Sequence, residues 1–224
     1  MWWLGQGAAR LGGLDSLPVF PGTLRALARS ARHLPDRLLH RWRRKLTAWA
    51  LARRPAPRTV LVVCHGNICR SPYAAAVARR LFPPDVVVES AGFIGPDRPS
   101  PPEALAVAAE RGLDLTPHRS RSLTPDALRA ADVVVVMDAD QRRRIVREHD
   151  ARAALVVLGD LDPEPISRRA IPDPENQPTD AFRSCYDRID RCVRELARLW
   201  NEPTERNAGD QRGHLQQGSA RQPH

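Results

Sequence analysis

The sequence predicts an α/β fold, a four-stranded parallel sheet flanked by helices on both faces, with an N-terminal basic helical extension. Three observations carry that prediction. Four short apolar runs, "TVLVV" (59–63), "VVVES" (86–90), "DVVVVM" (132–137) and "ALVVL" (154–158), alternate with stretches of helical periodicity. The runs are nearly continuous rather than alternating, which suits strands buried on both faces, the environment of a parallel sheet. Charge also divides the chain: residues 1–58 hold 12 of the 35 Lys and Arg but 2 of the 26 Asp and Glu, net +10, leaving the remainder at net −1. The basic balance therefore belongs to the leader, and a near-neutral body gives no reason to expect a nucleic-acid partner.

Taken in order, residues 23–54 read as helix in two pieces divided at Pro35. In the second piece Leu38, Leu39, Trp42, Leu46 and Trp49 recur at helical spacing among Arg37, Arg41, Arg43, Arg44 and Lys45. Such a helix fits an anionic membrane surface, a partner's groove or the catalytic body, so a peripheral membrane or partner contact through residues 23–54 stays open. "RRPAPR" (53–58) reads as a linker, since its prolines stop the helix. Helices are then expected near 71–82, 101–112, 124–130, 138–149 and 179–200, and the polar tail is expected to be disordered. The predicted organisation is an extension and linker (1–57), a catalytic domain (58–200) and a tail (201–224).

Composition supports this outline. With 42% hydrophobic and 27% charged residues the chain is ordinary for a globular protein, and its 21 prolines suggest punctuated loops. Four cysteines are too few for a disulfide framework, and the opening "MWWLGQGAARLGGL" lacks the basic n-region of a signal peptide. A reducing, cytoplasmic compartment is expected.

One stretch carries chemistry. In "LVVCHGNICRSP" (61–72), Cys64 directly follows the first strand, at the carboxyl edge where open α/β sheets place ligands. Gly66 and Asn67 tolerate the left-handed backbone that turns successive amides inward, while Ser71 and Pro72 read as a helix cap and first-turn proline. The loop from His65 through Gly66, Asn67, Ile68 and Cys69 to Arg70 and Ser71 thus describes an anion cradle at a helix N-terminus. Such a site favours the Cys64 thiolate, a nucleophile. Arg70 offers a planar fork to two phosphate oxygens, and Ser71 can donate a hydrogen bond to the sulfur. The six-residue Cys-to-Arg spacing is not itself evidence, because Cys185 and Arg191, and Cys192 and Arg198, share it. Those pairs lie in a helical stretch without Gly, Asn or a preceding strand, and their cysteines read as buried small hydrophobes.

"VCHGNICRSP" resembles the active-site signature of the low-molecular-weight protein tyrosine phosphatases, a family with an arsenate reductase branch. The likeness runs from about Thr59 to Trp200 and includes "SAG" (90–92), "TPHRSR" (116–121), "ADVVVVMD" (131–138) and "DP" (173–174) in the family's order. It implies a phosphomonoester hydrolase, a protein-tyrosine-phosphate phosphatase acting on a phosphorylated protein or small phosphomonoester through a cysteinyl-phosphate on Cys64. It implies no metal or cofactor, because the cradle and Arg70 supply the positive field. The resemblance places the general acid just before the last helix, which selects Asp173 over the other Asp-Pro aspartate, Asp162. It assigns Asn67, Ser71, Ser90 and His118 to a support shell. It also matches Cys69 to a second cysteine able to trap oxidised Cys64 as a disulfide, beside the plainer reading of a buried thiol.

Some positions depart from the family. Glu175 and Asn176 follow the "DP" where aromatic residues usually wall the cleft, leaving Phe93 as the nearest aromatic of the other wall. Ile68 stands where the family's arginine phosphatases have threonine, which favours an O-phosphate. Two rival readings are a thioredoxin-coupled arsenate reductase, weakened because its relay cysteines should precede the acid loop, and a non-catalytic phosphoprotein-binding module. Binding alone requires neither the Cys64 nucleophile nor the Asp173 acid.

Overall fold

Strand β1, Thr59–Cys64, is apolar at every position after Thr59 and sits inside a parallel sheet of order β2-β1-β3-β4, in a computed structural model that describes residues 34–149 and 153–201. The first piece of the predicted leader helix and all but the first residue of the predicted tail lie outside the described residues. The other strands are β2 (Val87–Gly92), β3 (Val133–Val136) and β4 (Ala154–Val157). From β1 the chain crosses to β2 on one side, then returns to β3 on the other, so a crevice opens at the carboxyl end of β1, where Cys64 stands.

Side chains alternate across the sheet. Val60, Val62 and Cys64 face one core, which also holds helices α2 (Arg70–Leu81), α3 (Pro102–Glu110) and α6 (Thr179–Asn201). Leu61 and Val63 face a second core with α4 (Pro125–Ala130) and α5 (Ala139–Glu148). Tyr73 of α2 stacks on Tyr186 of α6 with ring centroids 3.6 Å apart, and its hydroxyl donates to Asp190 at 2.8 Å. This pair ties the helix that begins at the candidate site to the last helix.

The expected helices and strands are present, with shifts at the ends that have local causes. β2 runs on through "SAG" because Gly92 pairs with Cys64 in register. The helix expected over 101–112 ends at Glu110, since Gly112 takes the left-handed conformation (φ 68°) that closes a helix. A 3₁₀ turn at Leu158–Leu161 follows β4 and leads to the loop that carries Asp162 and Asp173.

The leader helix is α1, Leu34–Ala52, with Pro35 at the N-terminal edge of the described residues. α1 packs on the catalytic body through its polar face. His40 Nε2 donates to the carbonyl of Asp162 at 2.9 Å, Arg44 pairs with Glu195 at 2.7 Å, and Asp36 accepts from the Arg169 amide at 3.0 Å. Among its apolar residues only Leu51 is buried. No helix among the described residues is long and apolar enough to cross a membrane.

Candidate active site

The loop after β1 wraps around the Cys64 sulfur. Sγ accepts from the Asn67 amide at 3.2 Å and from Ser71 Oγ at 3.0 Å, two donors that stabilise a thiolate. Asn67 has φ 53°, the left-handed geometry that aims its N–H inward. α2 begins at Arg70, so its positive end meets the same space. Ser71 is not the helix cap that the sequence predicts: Cys69 is the N-cap, without a side-chain cap bond, and Ser71 lies inside the first turn with its hydroxyl turned to the sulfur. Helix geometry explains the difference, since a cap hydroxyl must fold back onto the helix's own amides and could not also reach Cys64.

Asn67 is the keystone of the loop. Its Nδ2 donates to Ser71 Oγ (2.8 Å) and Ser90 Oγ (2.9 Å), its Oδ1 accepts from the Arg121 amide (2.8 Å), and its carbonyl accepts from His118 Nε2 (2.7 Å). A fully buried amide with its polar atoms paired fixes one loop conformation. His118 carries a proton at Nε2 to donate here, and burial holds its pKa below the ordinary range, partly offset by the bond to Asn67.

Arg70 is buried beside the loop. Nη1 donates to the Ile171 carbonyl at 3.1 Å and Nη2 pairs with Asp173, while Nε has no protein acceptor. An uncompensated buried guanidinium donor suits an oxygen of a bound phosphate. Asp173 also accepts from the Glu175 amide at 3.3 Å, and Cys185 Sγ contacts the Pro172 carbonyl, so the acid loop is held from behind by α6. The structure thus joins Cys64, Asn67, Ser71, Ser90 and His118 in one hydrogen-bonded network and pairs Arg70 with Asp173. His65, Arg70, Phe93, Gln141, Arg144 and Asp173 are among the residues lining a cleft of about 500 Å³.

Gly66 has room for ordinary contact with Ile68 and Arg98, and Ile68 and Cys69 are buried beneath the loop. The Cys69 thiol is pushed up by burial first and by Asp173 second, so it is a thiol rather than a thiolate at neutral pH. All four cysteines are free.

Three features were not read from the sequence. A Cβ on Gly92 would lie 2.8 Å from the Asn67 nitrogen and 2.9 Å from the Gly66 carbonyl carbon, so the phosphate loop rests on the bare backbone of "SAG". The motif itself held that signal. Arg98 pairs with Glu175 at 3.2 Å across the mouth, in place of an aromatic after the "DP". Phe93 does line the cleft, but the Arg144 guanidinium lies over its ring at 4.5 Å, making that wall half aromatic and half cationic.

Asp162, the Asp-Pro aspartate not selected as the acid, has a structural role. It is almost fully buried and accepts from Arg188 (3.0 Å) and Arg191 (3.1 Å), so one of the two misleading Cys-Arg spacings belongs to a structural ion-pair hub. Arg198 pairs with Glu195.

A thiol at a sheet's switch point that accepts from a loop amide and a serine hydroxyl, with a buried arginine paired to an aspartate on a neighbouring loop, has the make-up of a cysteine-dependent phosphatase. Residues 59–207 match the model of the low molecular weight phosphotyrosine protein phosphatases, and the chain belongs to that family. It is 39% identical over 139 residues to a protein described as a probable low molecular weight protein-tyrosine-phosphatase, EpsP, of Ralstonia nicotianae, covering 61% of this chain and 91% of the relative. Wzb of Escherichia coli K12 is 33% identical over 146 residues, 63% of this chain and 95% of Wzb. Among solved structures, Wzb of Escherichia coli K30 in complex with sulphate superposes with a TM-score of 0.58 at 31% identity, covering 63% of this chain and 96% of Wzb. The arginine phosphatase YwlE of Geobacillus stearothermophilus gives 0.57 at 27%, covering 75% and 100%.

Proposed function

We propose that this enzyme hydrolyses phosphotyrosine in a phosphoprotein, with Cys64 as nucleophile, Arg70 and the 65–71 amides as phosphate ligands, and Asp173 as general acid and then base. The observation that carries the reading is the sulfur held by the Asn67 amide and Ser71 hydroxyl beside an arginine that is itself paired to Asp173.

Cys64 Sγ attacks phosphorus in line, forming the S–P bond as the P–O ester bond breaks. Asp173 gives its proton to the departing oxygen, then takes one from water as that water attacks phosphorus and expels the sulfur. The Ser71 hydroxyl, already 3.0 Å from Sγ, stabilises the returning thiolate. Arg70 follows the equatorial oxygens, with its unpartnered Nε as one donor and its Nη2 exchanging carboxylate for phosphate. Asn67, Ser90 and His118 keep the loop curled.

The relatives named tyrosine phosphatases favour a tyrosine ester, and the Phe93–Arg144 wall is suited to the ring and charge of an aryl phosphate. Ile68 favours an O-phosphate over a phosphoguanidinium. Arsenate reduction is disfavoured because Cys185 and Cys192 are buried in α6. Burial pushes the Cys185 thiol up to about 12 and that of Cys192 up as well, which makes both poor relay nucleophiles. Four free cysteines agree with a reducing compartment.

Turnover of p-nitrophenyl phosphate and phenyl phosphate by the wild type, Cys64→Ser and Asp173→Asn tests the assignment. Cys64→Ser should be inactive. Asp173→Asn should lose about 10²–10³ in kcat on phenyl phosphate and less on p-nitrophenyl phosphate, whose better leaving group needs less protonation. Equal losses on the two esters would remove Asp173 from the acid role.

A further inference from the structure

Helix α1 is inside out. Its inward face carries Asp36, His40, Arg43 and Arg44, whereas Leu38, Trp42, Leu46 and Trp49 stand 69%, 68%, 57% and 57% exposed on the opposite side. At 100° per residue these four fall within a single stripe about 80° wide, pointing directly away from the catalytic body. The helix meets the body by hydrogen bonds, an ion pair and the buried Leu51, so the outward stripe is not what docks it. A row of two tryptophans and two leucines turned to water is costly unless something covers it.

Charge decides what covers it. Arg41 and Lys45 flank the stripe, Arg37 lies beyond them, and Arg53 lies over the Trp49 ring at 3.7 Å. The single carboxylate of α1, Asp36, is on the inward face with the Arg169 amide and Arg43. The outward face is therefore apolar and purely cationic. A second copy would set cationic flank against cationic flank. Residues 1–33 carry four arginines against one aspartate, which repels in the same way. A tryptophan-bearing stripe bordered by long basic side chains matches an anionic bilayer surface, where the rings enter the interface and the charged heads reach the phosphates.

We propose that α1 seats this phosphatase on anionic membrane through Leu38, Trp42, Leu46 and Trp49, with Arg41, Lys45 and Arg53 contacting lipid phosphate. The placement is independent of which phosphomonoester the active site hydrolyses. The full-length enzyme is to be sedimented with vesicles of phosphatidylglycerol and phosphatidylcholine, and with phosphatidylcholine alone. Binding should appear on the anionic vesicles, fall about tenfold or more when salt is raised from 0.05 to 0.5 M, and be weak on the neutral ones. A Trp42→Ser, Leu46→Ser, Trp49→Ser variant touches neither the active site nor the docked face. It should lose at least about a hundredfold in partition while keeping its p-nitrophenyl phosphate turnover and elution volume. Failure of the wild type to bind anionic vesicles would overturn the proposal, as would undiminished binding by the variant. So would a wild-type dimer that the variant converts to monomer, since the stripe would then belong to a second copy.

Discussion

Gly92→Ala is the sharpest test of how the phosphate loop is supported. The φ of Gly92 is not in the positive region, so alanine costs nothing in backbone strain, and the whole effect comes from one methyl group. That methyl would meet the Asn67 nitrogen at 2.8 Å and the Gly66 carbonyl carbon at 2.9 Å, where ordinary contact begins near 3.4 Å. The obstacle is backbone, which cannot rotate away, so the loop must move by about 0.6 Å or β2 must retreat from β1. Such a shift disturbs the Asn67 amide that faces Cys64 and the in-line geometry together. A misplacement approaching 1 Å costs roughly a hundredfold, so kcat on p-nitrophenyl phosphate should fall about 30- to 100-fold. Overpacking should also cost about 1–3 kcal/mol in urea unfolding, leaving the chain folded by circular dichroism. A folded Gly92→Ala enzyme with kcat within threefold of wild type would refute the claim that the loop rests on this backbone.

Two further outcomes follow from the polar groups around the site. Asp162→Asn should lower stability by about 3–5 kcal/mol in urea titration, because it leaves Arg188 and Arg191 without the carboxylate they share; a loss below about 1 kcal/mol would show the hub to be inert. His118 has its pKa depressed in the folded state, so the native protein resists a proton that the unfolded chain accepts below about pH 6.5. Its contribution is present above that pH and is lost as pH falls. The slope is at most about 1.4 kcal/mol per pH unit, and His118→Gln should flatten it between pH 7 and 5; an unchanged slope would discount the histidine.

Much of this was legible in the sequence because its causes are local. The four strands announce themselves as unbroken apolar runs, since both faces of a parallel sheet are covered. The cradle was readable because Cys64, Asn67, Arg70 and Ser71 act within eight residues of one another. What escaped was set by contacts distant in sequence. The partner of Asp162 on α1 is 122 residues away, and nothing near Asp162 records that its carbonyl receives His40. Periodicity revealed a stripe on α1 but not which way it faces, because a helical wheel has no outside until something packs on it. Ser71 was misread as a cap because a serine before a proline has that local signature, while its true partner is decided by the curl of the loop. Gly92 lay in a noticed motif, but close backbone approach is a property of two segments and is written in neither alone.

The matched region spans nearly all of the curated relatives and begins at residue 59, so α1 is additional to them. It is nevertheless joined to the loop that carries Asp173, through Asp36 at the Arg169 amide and His40 at the Asp162 carbonyl. Lifting α1 from the body breaks both bonds. Displacing α1 therefore removes two of the hydrogen bonds that hold the segment leading to Asp173. The leader is thus a brace for the segment on which Asp173 sits.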